Sequence, residues 1–493
     1  MPINTLDVMN QSPLGFGTSG ARGLVSDMTD EVCFAYALAF LAYLEQSGQF
    51  ERGGRVAIAG DFRPSSPRIM HVLQAAVIFH GGQPVSCGYI ASPAVAYFGL
   101  LEKIPSMMVT GSHIPDDRNG IKFNTSQGEI LKIDEEGIRS QSIDYDASWF
   151  RDGKLVKDIT DIDIDNSAYQ AYIERFTGFF DSDALTGFKV GLYEHSTVTR
   201  GAMYDVFTAL GADVLKLGFS EKFIPVDTEA IRVEDIVLAK QWVEEYQLDC
   251  IVSADGDGDR PLISNEYGEF FRGDVAGVLT AMFLHADNVV TPVSSNTMVE
   301  SCHQFKQVGR TRIGSPFVVK AMQEISDKNA GVTVGYEANG GFLQHSDIIK
   351  NGKTLKALPT RDAMIVPLCV MLLAKEEKVS LSTVLNNMPA RFTESDRIKN
   401  FPTESSNQLL AGFTQGSVTE NTTAIEHVFG EISGRVSNID LTDGVRIVFD
   451  NKEIIHLRPS GNAPELRCYC EANTQHRVQE LLASSMQKIA GLV

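Results

Sequence analysis

Through the first two-thirds of the chain, short apolar runs closed by glycine, proline or polar clusters alternate with longer segments of mixed apolar and polar positions. A dense apolar segment at 30–47 predicts a buried helix. Arg55-Val56-Ala57-Ile58-Ala59-Gly60 then predicts a strand. The segment from Arg63-Pro64-Ser65-Ser66-Pro67 through Phe79, closed by Gly81-Gly82, predicts a helix, and Pro84-Val85-Ser86-Cys87 a second strand. A helix near 94–102 leads into a third strand at Ser106–Val109. The cycle recurs: a strand at 188–193, a helix opened by Ser196-Thr197-Val198-Thr199 and ended by Leu210-Gly211, a strand at 212–215, a helix at 234–246 and a strand at 249–253. A weaker third copy starts at 288–293, passes a helix near 315–326 and ends at 332–334. Three successive βαβ-type units predict α/β layers on parallel or mixed sheets.

The pattern then changes. Residues 444–450 and 453–458, joined by the turn Asn451-Lys452, predict a β-hairpin; a strand at 466–471 and an amphipathic helix at 475–489 follow. The acidic stretch 158–165 marks one junction. A second lies near 387–402, where Pro389 and Pro402 flank the polar run Thr393-Glu394-Ser395-Asp396-Arg397. The fold class expected is α/β: three similar mixed-sheet α/β domains (1–160, 161–272, 273–390) plus a C-terminal α+β domain (391–493) around a central cleft. A length of 493 residues suits about three to four domains.

The last strand of each unit runs into an unusual polar loop, and such loops are where α/β enzymes carry reactive groups. The first, Thr110-Gly111-Ser112-His113-Ile114-Pro115, continues to Asn119-Gly120-Ile121-Lys122 and reads as a loop throughout. It holds a hydroxyl (Ser112), an imidazole (His113) and a lysine (Lys122), and Ser112 is a candidate nucleophile. The second is Asp255-Gly256-Asp257-Gly258-Asp259-Arg260. Carboxylates at alternate positions of an extended loop converge on a hard cation, and the glycines let the backbone curl around it. An EF-hand is excluded although Glu266 falls at its last position: Arg260 stands where the sharp turn needs glycine, and a strand flanks the loop. An Mg²⁺ site with positions open to phosphate oxygens is the better reading. The third loop is Gly335-Tyr336-Glu337-Ala338-Asn339-Gly340-Gly341.

Two further stretches suit anions. Gly15-Phe16-Gly17-Thr18-Ser19-Gly20-Ala21-Arg22-Gly23 offers backbone N–H groups and the charge of Arg22, without the Gly-Lys-Ser/Thr of a Walker A loop. Arg458-Pro459-Ser460-Gly461-Asn462-Ala463-Pro464-Glu465-Leu466-Arg467 offers two guanidinium groups, a hydroxyl, an amide and a glycine N–H. A net charge of −20 argues against nucleic acid as a partner and repels phosphorylated substrates at long range. Phosphate chemistry here therefore needs local cations. No apolar run is long enough to span a membrane, and the N-terminal segment has neither the basic region nor the apolar core of a signal peptide. The seven scattered cysteines form no CxxC pair, so neither a disulfide framework nor a zinc site is expected, and a reduced cytoplasm fits.

Taken in order, these loops resemble those of the α-D-phosphohexomutase superfamily over nearly the whole chain. The family's serine loop, Thr-Ala-Ser-His-Asn-Pro followed by Asn-Gly-Ile-Lys, is matched from Thr110 to Lys122, with Gly111 for Ala and Ile114 for Asn. Its metal loop is matched by Asp255 to Arg260 in full. Its sugar loop, Gly-Glu-x-Ser-Gly, corresponds to Glu337–Gly341 with Asn339 for Ser, and its phosphate loop to Arg458–Arg467 with Gly461-Asn462-Ala463 for Gly/Asn-Thr-Glu. The resemblance implies a phosphomannomutase, phosphoglucomutase or phosphoglucosamine mutase acting on hexose phosphates, the first being the leading expectation. It implies a phosphorylated Ser112 whose phosphate completes an Mg²⁺ shell with Asp255, Asp257 and Asp259, and hexose 1,6-bisphosphate as intermediate and activator. Arg22 and Arg260 would steady the transferring group. Lys122, or failing it His113, would act as general base. Glu337, Asn339 and Gly335 would serve the sugar, and Arg458, Ser460, Gly461, Asn462 and Arg467 the phosphate, under a mobile C-terminal domain. A monomer or homodimer is expected. A phosphoserine-type phosphatase and a non-catalytic sugar-phosphate sensor are the readings from other classes.

Overall fold

Three sheets in succession repeat one strand order, and that order places the site. The computed structural model describes residues 2–17, 20–160, 162–460 and 464–492. In the first unit the strand Arg55–Gly60 pairs in parallel with Gln83–Tyr89 on one side and with Ser106–Val109 on the other. Ser106–Val109 then pairs antiparallel with Arg118–Thr125. The second unit does the same with Lys189–His195, Asp213–Phe219, Cys250–Ala254 and Pro261–Ile263. The third does so with Asn288–Pro292, Gln307–Thr311, Thr333–Tyr336 and Phe342–Gln344. In each unit the polar loop picked out from sequence is the turn from the third, parallel strand into the antiparallel fourth. The central strands, such as Ser106–Val109, Cys250–Ala254, Asn288–Pro292 and Thr333–Tyr336, are buried along their length because helices such as Ser66–His80, Arg200–Ala209 and Ser315–Ser326 cover the sheets, while the edge strands Asp213–Phe219 and Gln307–Thr311 are partly exposed.

The expected elements fall close to the observed ones, with two corrections. The stretch 110–123 is not all loop. Residues from Arg118 belong to a strand held by Ser106–Val109 on one side and Ala21–Leu24 on the other. Asn119-Gly120 does not turn there, because both neighbours pair with the backbone and the buried Asn119 amide donates to Ser65 and Ser66. The polar run Thr393–Arg397 is likewise no linker. It lies in Phe392–Lys399, an edge strand of the C-terminal sheet paired along its length with Glu465–Ala472. An edge strand with one solvated face tolerates polar residues, so its composition mimics a junction.

One apolar core runs through all three units, from Ala57 and Met108 through Leu192 and Val252 to Val289 and Val334. The C-terminal antiparallel sheet has its own core around Ile425, Phe429, Ile447, Leu457 and Leu481. Cys468 and Cys470 pack in that core with Sγ atoms 3.8 Å apart. Among the described residues all seven cysteines are free and no helix is long and apolar enough to cross a membrane.

Two histidines are buried where protonation has no outlet. His195 Nε2 donates to the Ala254 carbonyl at 2.8 Å and His456 Nε2 to the Asp443 carbonyl at 2.6 Å, while neither Nδ1 has a hydrogen-bond partner among the described residues. Burial pushes each imidazole down to about 4. The folded values lie below the unfolded one, so the unfolded chain binds these protons first. Their contribution is whole above pH 6.5 and is lost as pH falls towards 4, by about 3 kcal/mol each. Urea unfolding between pH 7 and 4 is expected to show this decline, with a shallower slope in His456→Gln.

Candidate active site

The three polar loops meet. Ser112 is fully buried, with φ +56°, and its Oγ donates to Asp255 Oδ2 at 2.6 Å across 143 residues of sequence. The left-handed backbone is costly for a residue with a side chain and persists because its surroundings hold it. The Ser112 N–H donates to Thr110 Oγ1 at 2.7 Å, Thr110 Oγ1 donates to Asp61 Oδ2 at 2.7 Å, and Arg63 Nη2 donates to the Ser112 carbonyl at 2.9 Å. Arg63 pairs with Asp61 inside the protein, and its guanidinium carbon lies 4.1 Å from the Phe223 ring centroid of the second unit. Asp61 and Arg63 thus orient the serine, although sequence reasoning saw in their segment only a helix entry. The signal available was their place at the first strand end of the unit.

Asp255, Asp257 and Asp259 present carboxylate oxygens within 4.8 Å of one another, all buried. The loop is a curled turn, tighter than the extended form expected: Asp255 Oδ1 accepts the N–H groups of Asp259 and Arg260, both at 3.1 Å. Burial and the repulsion of Asp257 and Asp259 push the Asp255 carboxyl well above the usual range. Burial acts the same way on Asp257, but Lys122 overrides it and holds that carboxyl low; Arg361 does so for Asp259. Lys122 Nζ donates to Asp257 Oδ2 and Asp259 Oδ2, both at 2.6 Å, and Ser92 Oγ donates to Asp257 Oδ2 at 2.5 Å. Asp257 Oδ1 and Asp259 Oδ1 are buried without a hydrogen-bond partner among the described residues. Three hard oxygen donors, two of them with an oxygen free of hydrogen bonds among the described residues, fit a divalent cation such as Mg²⁺.

His113 Nδ1 lies 3.4 Å from Ser112 Oγ, and burial with the charges of Arg260 and Arg22 pushes its pKa down to about 2, so the ring is neutral. Arg22 sits in the strand Ala21–Leu24 opposite Gly120, and its Nε is buried without a hydrogen-bond partner among the described residues. Burial, then Arg260 and Arg361, lowers it to about 10. These cations meet the local need for positive charge that the net −20 creates.

Arg361, unmarked in the sequence, closes the third side. It donates from Nε to Asp259 Oδ2 at 3.0 Å and from Nη1 to Glu337 Oε2 at 3.1 Å. Glu337 is therefore brought to the cleft. Asn339 is brought there too, but its Oδ1 accepts the Gly341 N–H at 2.9 Å and its carbonyl accepts Thr228 Oγ1 at 2.7 Å. Gly335 is not part of the loop. It lies in the strand Thr333–Tyr336, where an added Cβ would stand 2.6 Å from Val318 and 2.8 Å from Met322, so it serves strand–helix packing.

Arg458 and Arg467 stand directly opposite on neighbouring strands, and Arg397 on the edge strand stands opposite Arg467. Three guanidinium groups in one cross-strand row repel one another unless anions intervene. Asp443 accepts from Arg458 Nε at 2.9 Å, and Glu465 lies 3.6 Å from both Arg397 and Arg467. The buried Ser460 has its N–H on the Glu465 carbonyl at 2.8 Å. Gly461 and Asn462, and Thr18 and Ser19 of the glycine-rich stretch, lie outside the described residues.

Comparison with known proteins agrees with this geometry. Family descriptions match in three parts: phosphoglucomutase/phosphomannomutase alpha/beta/alpha domain I over residues 13–147, alpha/beta/alpha domain III over 272–392 and the C-terminal domain over 414–487. The chain is 43% identical over 486 residues to a phosphomannomutase of Salmonella muenchen, covering 99% of this chain and 98% of that protein. It is 40% identical over 475 residues to a phosphomannomutase of Sinorhizobium fredii (strain NBRC 101917 / NGR234), covering 96% and 98%. Its fold is similar to a phosphoglucomutase/phosphomannomutase family protein from Burkholderia thailandensis, with TM-score 0.73, 16% identity and coverage of 96% and 97%. It is also similar to Aspergillus fumigatus N-acetylphosphoglucosamine mutase in complex with GlcNAc-6P and magnesium, with TM-score 0.61, 14% identity and 98% of each chain. The chain belongs to the phosphoglucomutase/phosphomannomutase family.

The curl of the carboxylate loop depends on Gly258, at φ +71°, where an added Cβ would lie 1.7 Å from Thr199 Oγ1. Gly258→Ala is expected to cost about 2 kcal/mol or more in urea unfolding. Adding Thr199→Ala removes the 1.7 Å contact but leaves 3.1 Å contacts to the Cβ atoms of residues 199 and 91, so it recovers only part of the cost and leaves that of the left-handed backbone.

Proposed function

We propose that this chain is a phosphomannomutase-type phosphohexomutase. It is an intramolecular phosphotransferase that interconverts hexose 1-phosphate and hexose 6-phosphate through a phosphoserine at residue 112 and a hexose 1,6-bisphosphate. The observation that carries this reading is the buried Ser112 Oγ, 2.6 Å from Asp255 within the carboxylate triad. The 43% identity to a phosphomannomutase over 99% of the chain supports mannose as the sugar. We place it in the cytoplasm, where its seven free cysteines stay reduced; a monomer or homodimer remains our reading of its assembly. We also read the boundaries 1–160, 161–272, 273–390 and 391–493 as those of four domains.

Asp255, Asp257 and Asp259, with the Ser112 oxygen, would hold Mg²⁺, which when bound supplies charge neutralisation to a transferring phosphoryl group. Arg22 and Arg260 add positive charge on the same group. The substrate's phosphate rests on Arg458, Arg467 and Ser460, with Gly461 and Asn462 of the same loop, and Glu337 accepts from sugar hydroxyls while Arg361 fixes its carboxylate. Asn339 shapes the sugar loop through its bond to Gly341. The 6-hydroxyl oxygen attacks the phosphorus on Ser112. The new O–P bond forms as the Oγ–P bond breaks, and the electron pair stays on Oγ. The bisphosphate turns end for end and its other phosphoryl group returns to Ser112. We read Lys122 and His113 as the two candidates to take the proton of the attacking hydroxyl: His113 is neutral beside Ser112, whereas Lys122 donates to Asp257 and Asp259 as a cation and accepts a proton only after releasing one.

Mutase assays with Mg²⁺ and a trace of hexose 1,6-bisphosphate are expected to convert mannose 1-phosphate to the 6-phosphate, with activity abolished in Ser112→Ala. The ratio of kcat/KM for mannose, glucose and glucosamine 1-phosphates names the sugar. Release of inorganic phosphate would establish a phosphatase instead, and tight binding without turnover a sensor. Of Lys122→Ala and His113→Ala, the variant that removes the base loses about 10²–10⁴ in kcat, and the other loses less.

A further inference from the structure

The turn between the strands Val436–Asp440 and Val445–Phe449 belongs to none of the loops named above, yet it touches two of the chain's units at once. Its Asp443 carboxylate uses both oxygens. Oδ1 accepts from Arg458 Nε and Oδ2 from the backbone N–H of Ile313, each at 2.9 Å. Ile313 precedes the helix Ser315–Ser326 of the third unit. The same turn is pinned on either side: the Thr442 carbonyl accepts from Arg312 Nε at 3.2 Å, and the Asp443 carbonyl accepts from His456 Nε2 at 2.6 Å. We propose that Asp443 is a positioning residue for the phosphate grip: it aims Arg458 and ties that aim to the seating of the C-terminal sheet on the third unit. This rests on the reading of Arg458 as a phosphate ligand.

The physical argument has three parts. A guanidinium on a flexible stem binds phosphate well only when its plane is fixed, and a carboxylate on Nε fixes the plane while leaving the two Nη groups for bidentate contact. Arg467 stands directly opposite Arg458 and repels it, so a counter-charge is needed to hold Arg458 in the row before phosphate arrives. Both members of the Asp443–Arg458 pair are largely shielded, with side chains 17% and 16% exposed, so the pair is stronger than a surface one. The second oxygen supplies the coupling. The Ile313 N–H comes from the third unit, whose core is separate from that of the C-terminal sheet. Seating the sheet places Asp443, Asp443 places Arg458, and phosphate that binds the placed Arg458 favours the seated arrangement by the same free energy.

The test is steady-state kinetics on mannose 1-phosphate with Asp443→Ala, Asp443→Asn, Arg458→Ala and the double variant D443A/R458A. Loss of one charge-assisted contact is expected to raise KM about tenfold in Asp443→Ala, with kcat changed far less. The double variant is expected to be no worse than Arg458→Ala alone, because Asp443 acts through Arg458. Hydrogen exchange at the Ile313 amide is expected to slow when mannose 1-phosphate is added to the native protein and not in Asp443→Ala. Asp443→Asn keeps the size and one acceptor, so it carries the KM test if the alanine variant fails to fold. An unchanged or lowered KM in both Asp443 variants, with KM raised in Arg458→Ala, overturns the assignment of Asp443 alone; a lowered KM would mean that Asp443 competes with phosphate. An unchanged KM in Arg458→Ala overturns the phosphate-loop reading, and this proposal with it.

Discussion

The structure depends on a buried network of opposite charges drawn from three units. Asp255, Asp257 and Asp259 come from the second, Lys122 from the first, and Arg361 with Glu337 from the third. None of these charges is stable alone in the interior, where removing one partner of a buried pair costs about 3–5 kcal/mol. The second unit is therefore held to the first through Lys122 and to the third through Arg361, whose charges its own residues do not supply. The shared apolar core supplies the adhesion, and the charge network supplies the register.

That register follows from a repeated topology. In each unit the third strand lies beside the first and ends in a turn to an antiparallel neighbour. One turn has become the serine loop, the second the carboxylate loop and the third the loop of Glu337 and Asn339. Where strand ends of parallel sheets face one another they leave a crevice whose walls are loops, and loops change chemistry without disturbing the core. The C-terminal sheet departs from the plan. It is antiparallel, has its own core and reaches the rest largely through polar contacts: Thr297 with Glu471, Asp443 with the Ile313 amide, and Arg312 with the Thr442 carbonyl. Such contacts reform at low cost, which suits the phosphate-gripping role proposed above for this unit.

Much of this was legible in the residues. The strands at 55–60, 106–109 and 250–254 are short apolar runs ended by glycine or polar clusters, and local pattern suffices to find them. The carboxylate loop announced itself because three acidic residues so close together repel one another without a cation. Other positions were misread. Thr393–Arg397 looked like a linker because an edge strand carries the polar residues a linker carries, and Asn119-Gly120 looked like a turn because its pairing partners lie far away in sequence.

By itself the sequence determined the alternation of strands and helices, the position of the serine and carboxylate loops, and the family to which they belong. All of these rest on residues close together along the chain, where spacing and side-chain type act directly. The tertiary structure alone decided that Lys122 lies on Asp257 and Asp259, that Arg361 joins the carboxylate loop to Glu337, that Asp61 and Arg63 hold Ser112, and that Gly335 packs a helix. Arginines, lysines and aspartates occur all along the chain. Which of them pair is set by where the three sheets bring their strand ends, and no local pattern encodes that placement.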